Sequence, residues 1–323
     1  MRTVESARAA AARWEVATPQ RPGRLPGVGM AGFRDRSAEP LDLPVVPYPS
    51  VMIAFEFGEG LLVEGEDGRR QRGSTVLGLA PGGLRVRGSG IECLQIRLSP
   101  VVAHAVLGVL PSAGSGRLPS AGGAMVALED LWGAGARRVE ERLRAAGSWQ
   151  ERFAIADAEL LRRYVAGRSA TPEVAHTWRE LTAHRGQIRI DALAAEVGWS
   201  RQRLWSRFRA EIGLTPKRAA QLVRFDHAAH RLAAGHSAGA VAAESGYADQ
   251  SHLHRDALAF AGMTPTAVAA APWLAVDDTA WAAGDTTRSG VDAARVTDGA
   301  ARTVDRTVRA VAAGRRGSAS MPG

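Results

Sequence analysis

Cysteine occurs once in 323 residues, at Cys93, so an internal disulfide is impossible and a cysteine-based zinc module is excluded. Lysine is equally scarce: Lys217 is alone among 41 basic residues, the other 40 being arginine. Apart from His104 the first 170 residues contain no histidine, which leaves that region short of the about three His or carboxylate ligands a catalytic metal needs. No run approaches the ~18 apolar residues of a membrane span. Met1 to Pro22 carries arginines and alanines in place of the apolar core of a signal peptide. These absences predict a cytoplasmic chain with no membrane partner.

What is present is enough apolar material, 46% of the chain, to fill two ordinary domains. The formal charge of +8 suits a polyanionic partner. Because the arginine excess accompanies heavy Ala and Gly usage, it is read as compositional bias, and not every arginine is counted as a phosphate contact.

Residues 1–20 are Ala/Arg-rich and are expected to be a flexible N-terminus. Short apolar runs then alternate with Gly and Pro: Val51–Phe57, Gly60–Val63, Thr75–Leu79, Leu84–Arg87 and Ile91–Leu98 read as strands, the last with clean alternation. Glycine-bearing turns between them suit hairpins, and the set predicts a small antiparallel barrel or sandwich. After Ser99-Pro100 the pattern turns helical, with Gly108 as a stop, a Gly/Ser-rich loop at 111–123, and helices over Leu128–Leu131 and Ala134–Ala146. Ser148-Trp149-Gln150-Glu151 is a capping box opening a helix with Phe153, Ala156, Leu160, Leu161 and Tyr164 on one face. Residues 21–166 are therefore taken as one domain with a helical C-terminal part, and 167–172 as a linker. Residues 173–273 are taken as an all-α domain. The stretch 274–323 is expected to be a disordered tail, in which Val304, Val308 and Val311 suit a short amphipathic helix.

The helical domain contains a near-repeat. Ala194 precedes Gly198 by four residues, as Ala242 precedes Gly246. Leu204 precedes Gly213 by nine, as Leu253 precedes Gly262, and Pro216 and Pro265 each follow by three. The physics is that of a helix-turn-helix. The alanine lets two helix axes approach, and the glycine reverses the chain in a conformation side chains resist. Ser200 or Asp249 caps the second helix, and Leu204 and Phe208, one turn apart, point inward. The opposite face, with Arg201, Gln202, Trp205, Ser206 and Arg209, is left for solvent or a DNA groove. A long helix from Thr215-Pro216, carrying Leu222, Phe225 and Leu232, joins the two units.

The segment Asp191 to Pro265 resembles the duplicated helix-turn-helix domain of the AraC/XylS family of transcription regulators. The stretch Gly246-Tyr247-Ala248-Asp249-Gln250-Ser251-His252-Leu253-His254-Arg255, followed by Gly262-Met263-Thr264-Pro265, carries the resemblance most specifically. One departure is Ala257, where an aromatic is expected, so the second unit is expected to pack more loosely. The N-terminal part is similar, more weakly, to the cupin-like sensor domains that precede such modules. The resemblance implies an α+β two-domain protein that binds double-stranded DNA without a cofactor. It places Gln202, Trp205 and Ser206, and in the second unit Gln250, Ser251, His252 and Arg255, where bases are read. Arg255 is the strongest of these, since a guanidinium pairs with both O6 and N7 of guanine. Arg201, Arg207, Arg209, Lys217 and Arg218 are phosphate-contact candidates. From Arg185 to Arg231 there are ten Arg/Lys against four Asp/Glu, whereas Leu232 to Ala270 has one Arg against three acids, so phosphate attraction is expected from the first unit.

Trp205 also fits a packed surface aromatic, and His252 with His254 lacks a third metal ligand nearby, so no metal site is assigned. Cys93 on a half-buried strand reads as packing rather than as a nucleophile. A cupin-type enzyme is thus the weaker alternative and no catalytic residue is assigned. The N-terminal domain takes a small effector, with Tyr48, Phe55 and Phe57 as pocket-wall candidates, mediates a homodimer, or does both; the competing reading is a ligand-free dimerisation module on a constitutive DNA-binding protein. RNA polymerase becomes a partner if the protein is an activator.

Overall fold

The computed structural model describes residues 13–281 apart from 38, 59, 66–67, 80–82, 109–110, 113–114, 117–124, 272–273, 275 and 278–279. The helix suggested at Val304–Val311 lies outside the described residues.

The N-terminal half is built on two antiparallel sheets. One runs in the order β1 (Trp14–Ala17), β2 (Val28–Asp35), β9 (Glu92–Leu98), β4 (Val51–Glu56), β7 (Thr75–Leu77), β12 (Met125–Ala127). The other runs β3 (Leu41–Pro44), β8 (Arg85–Gly88), β5 (Leu62–Glu64), β6 (Arg70–Arg72). A short hairpin, β10 (Pro111–Ser112) with β11 (Ser115–Gly116), stands apart. Five predicted strands are found as β4, β5, β7, β8 and β9. Within the stretch expected to be a flexible N-terminus, Trp14–Ala17 pairs with β2, and Trp14 is buried edge-on against Phe33.

Alternation divides β9 between two environments, as the pleat requires. Leu94, Ile96 and Leu98 join the large core beneath the helices, whereas Cys93, Gln95 and Arg97 face the space between the sheets. In β4, Ile53 and Phe55 take the helical side, and Met52 and Ala54 the barrel side. Of the three aromatics suggested as pocket wall, only Tyr48 lines that interior. Phe55 packs on Trp132 and Phe57 on Trp149, because their strand parity and position turn them toward the helices.

On that side lie α1 (Pro100–Leu107), α2 (Leu128–Trp132), α3 (Ala134–Ala145) and α4 (Trp149–Ala166). The Glu151 amide donates to the Ser148 hydroxyl at 3.2 Å, but the Glu151 carboxylate takes the amide of Gly147 at 2.9 Å, so the predicted box closes one residue early. The linker is short and pinned at both ends. A Cβ on Gly167 would stand 2.0 Å from the Ala105 carbonyl oxygen, and the Thr171 amide donates to Glu211 at 2.7 Å.

The C-terminal helices are α5 (Pro172–Ala183), α6 (Ile190–Glu196), α7 (Arg201–Ile212), α8 (Pro216–Ala233), α9 (Ala238–Glu244), α10 (Gln250–Ala261) and α11 (Pro265–Ala269). One continuous core runs from the β-sheet through α1 into these helices, so the two halves share buried apolar surface. Part of the stretch expected to be a disordered tail from residue 274 is packed. Leu274, Val276, Asp277, Ala280 and Trp281 are buried, the last four against or inside the barrel. Among the described residues, no helix is long and apolar enough to cross a membrane.

Candidate nucleic-acid interface

Each predicted turn is present twice. Gly198 and Gly246 adopt φ of 68° and 72°, and Gly213 and Gly262 adopt 89° and 64°, the left-handed region that L side chains resist. Ala194 and Ala242 are buried where paired helices meet. The Ser200 hydroxyl accepts the Arg203 amide at 3.2 Å, and the Asp249 carboxylate accepts the His252 amide at 2.7 Å, each satisfying a free donor at a helix start. Thr215 and Thr264 do the same before Pro216 and Pro265, both buried.

In α7, Leu204 and Phe208 are fully buried, and Phe208 packs on Trp178 of α5. With that stripe anchored, the opposite face is left exposed: Arg201, Gln202, Trp205, Ser206 and Arg207 all stand in solvent, with Arg209 half-buried. Trp205 is 46% exposed, with the Arg209 guanidinium 5.2 Å from its ring centre. Arg201 reaches Asp191 at 3.2 Å and Arg207 reaches Glu211 at 3.3 Å, both from largely solvated side chains, pairs that contribute little and exchange readily for other anions.

In α10, Gln250, Ser251, His254 and Arg255 are exposed, and the Arg255 Nε–H lies along the helix toward the Ser251 carbonyl at 3.4 Å. His252 is different. Its ring meets Tyr247 edge-on at 5.1 Å and is only partly exposed, which ties it to the turn as well as to the outer face. Burial pushes the Tyr247 hydroxyl's pKa up, so that ring stays neutral beneath it.

Two phosphate candidates lie in unlike settings. Lys217 is exposed. Arg218 lies flat on Phe260 at 3.7 Å and donates to the Ala259 carbonyl at 3.3 Å, and burial lowers its pKa, all signs of a bracing group between α8 and α10. The looser packing expected around Ala257 is not found. Ala257 is fully buried, and Phe260, one turn further along α10, stacks on Phe225 of α8 at 5.4 Å. Neither this stacking nor the inward turn of Arg218 carried a sequence signal, because both depend on where α8 passes.

Cys93 is buried in the barrel and its thiol is pushed up to about 12 by burial, which suppresses the thiolate. Among the described residues, no three His, Cys, Asp or Glu side chains converge as a metal site would require.

Residues 193–271 match a family model described as a helix-turn-helix domain. No curated protein matches the chain. Among solved structures the chain is similar to ToxT from Vibrio cholerae O395, at 11% identity and a TM-score of 0.42 over 75% of this chain and 97% of that one. It is also similar to unsaturated fatty acid bound ToxT from strain SCE256, at 9% identity and 0.43 over 78% and 98%. The AraC-like transcriptional activator CuxR aligns at 16% identity and 0.25 over 64% and 83%.

Proposed function

We propose, from the premise that residues 193–271 are an AraC-type helix-turn-helix domain, that this protein is a sequence-specific, DNA-binding transcription regulator. The observation that carries the reading is the pair of anchored helices, α7 and α10, each buried along one stripe and capped at its start. Each leaves polar and basic side chains exposed on its opposite face. An α-helix of that kind fits the major groove, where side chains reach base edges. Joined by α8, the two helices would enter successive groove segments about 34 Å apart on one side of the duplex. Gln202, Trp205, Ser206, Gln250, Ser251 and Arg255 are the base-contact set, with His252 at its margin. Arg201, Arg207, Arg209 and Lys217 attract phosphates, and Arg218 acts mainly by holding α10 in place.

The β-rich half shares a buried core with α1 and, through it, with α5 and α7, so occupancy of the barrel has a physical route to the DNA-facing helices. We assign it effector control on that ground.

The test is selection of bound sites from random duplexes by the full chain, followed by footprinting. The expected site spans roughly 15–20 base pairs per monomer, as two one-turn-spaced half-contacts require, and is not palindromic within it, since α7 and α10 differ. Binding with no sequence preference at any salt concentration would overturn the reading.

A further inference from the structure

Arg97 is a charged group inside the apolar barrel that the DNA-facing surface does not use. It sits on the inward face of β9, its side chain only 9% exposed, between the rings of Tyr48 at 3.6 Å and Trp281 at 4.1 Å. Its guanidinium donates at 2.8 Å to Asp277, a residue 180 positions later in the chain and beyond the DNA-facing helices. The other Asp277 oxygen lies 3.3 Å from Nε2 of His230 on α8. Trp281 lies over Gly29 of β2, the register partner of Arg97, where a Cβ would stand 3.1 Å from the indole. The chain thus leaves the DNA-binding domain and re-enters the barrel, placing a carboxylate on its arginine and an indole over its wall.

What remains of the interior is a cavity of about 50 Å³ walled by such residues as Phe33, Met52, Leu61, Leu77 and Cys93. At ~10–15 Å³ per water by that measure, it holds a few waters and no sizeable ligand. A guanidinium flanked by two aromatic rings at the end of an apolar chamber is chemically a receptor for a carboxylate on an apolar body. Asp277 and Trp281 supply those two parts from within the chain.

We propose that the barrel is a binding site for a small apolar carboxylate, and that Asp277 and Trp281 are its tethered occupants, with Asp277 standing where the ligand's carboxylate pairs with Arg97. Ligand and tethered pair exclude each other, because both need the same guanidinium and the same space. A tethered group acts at an effective concentration of order mM, so the free ligand binds the intact chain well below its intrinsic affinity. Entry of the ligand takes Asp277 off Arg97 and breaks the Arg97–Asp277–His230 chain that joins the barrel to α8. The consequence for DNA rests on the regulator reading; the binding event does not.

The experiment is calorimetric titration of the full chain with hexanoate, with 1-hexanol as the uncharged control. Asp277→Asn and Trp281→Gly, which weaken the latch by different means, are each expected to bind hexanoate at least ten-fold more tightly than the parent. Arg97→Gln is expected to lose at least ten-fold, and hexanol to gain much less than hexanoate in the latch variants. On the parent chain, saturating hexanoate is expected to speed hydrogen exchange at the Trp281 amide, which donates to the Asp277 carbonyl at 2.9 Å, while β2–β9 amides stay slow. Equal hexanoate affinity in the parent and both latch variants, equal gains for hexanol, or an unchanged Trp281 amide would overturn the proposal. None of these measurements uses DNA, so failure to bind DNA would sink the regulator reading and leave this one standing.

Discussion

The two helix-turn-helix units share caps, turns and spacing, yet at matching places they carry opposite chemistry. Glu211, three residues after Phe208, is buried in the first unit and holds the Thr171 amide at 2.7 Å, while its backbone is the hydrogen-bond partner of His104 on α1. Phe260 stands three residues after Ala257 in the second unit and stacks on Phe225. The first unit is wired outward, to the linker and the β-rich half; the second closes on the joining helix. A buried carboxylate must find donors, and here one comes from the linker, whereas a buried phenyl ring needs only surface. One scaffold thus serves once as a joint and once as a self-contained module.

The most severe way to break the contrast is Phe260→Ala. Loss of this fully buried ring is expected to destabilise the second unit by about 3–5 kcal/mol, as for large-to-small core changes. Chemical denaturation with hydrogen exchange should show α10 opening while α7 stays protected. Simultaneous loss of both units would show that the second is not self-contained.

Glu211→Ala tests the joint. It leaves the Thr171 amide without its acceptor, at a cost of about 1–3 kcal/mol, and is expected to speed exchange at the linker amides. A stability loss without any change at residues 167–172 would mean the carboxylate serves only its own helix.

On DNA, Arg255→Ala should weaken the best site by about 1–3 kcal/mol and relax preference at one base position, as loss of a bidentate base contact does. Arg209→Ala should weaken all sequences alike and lower the salt slope by about 1. Equal effects of Arg255→Ala on specific and scrambled duplexes would remove Arg255 from the base-reading set.

The smallest effect concerns pH. Burial lowers the pKa of His104, which therefore folds in its neutral form. The unfolded chain binds the extra proton, so stability is unaffected above about pH 6.5 and declines as pH falls below that value toward the depressed folded pKa. His104→Gln should flatten the stability profile of the parent between pH 5 and 6.5; an unchanged slope there would place the titrating group elsewhere.

Both helix-turn-helix units were legible in the residues because their determinants are local. A cap acts over three residues, a left-handed glycine over one, and the Leu204/Phe208 stripe over one turn. The five strands recognised have the alternation or apolar runs that signal burial. β2 was not legible for a definite reason. Its Gly29 and Gly32 weaken any strand signal, and they are glycine because Trp281 lies over one and Trp149 over the other. A Cβ at 32 would stand 2.4 Å from the Trp149 ring. The same holds for Phe260, whose partner lies 35 positions earlier, and for the supposed tail. Asp277 and Trp281 read as part of a polar, alanine-rich stretch until β9 brings Arg97 beside them.

By itself, then, the sequence determined the two capped, glycine-turned helix pairs and the faces they leave open. Only the tertiary structure decided which aromatics line the barrel, which arginine braces a helix and which carboxylate enters the barrel. Hydrogen-bonded caps and helical periodicity are set within a few residues. A buried charge pair 180 positions apart exists only once the chain has returned to the same place.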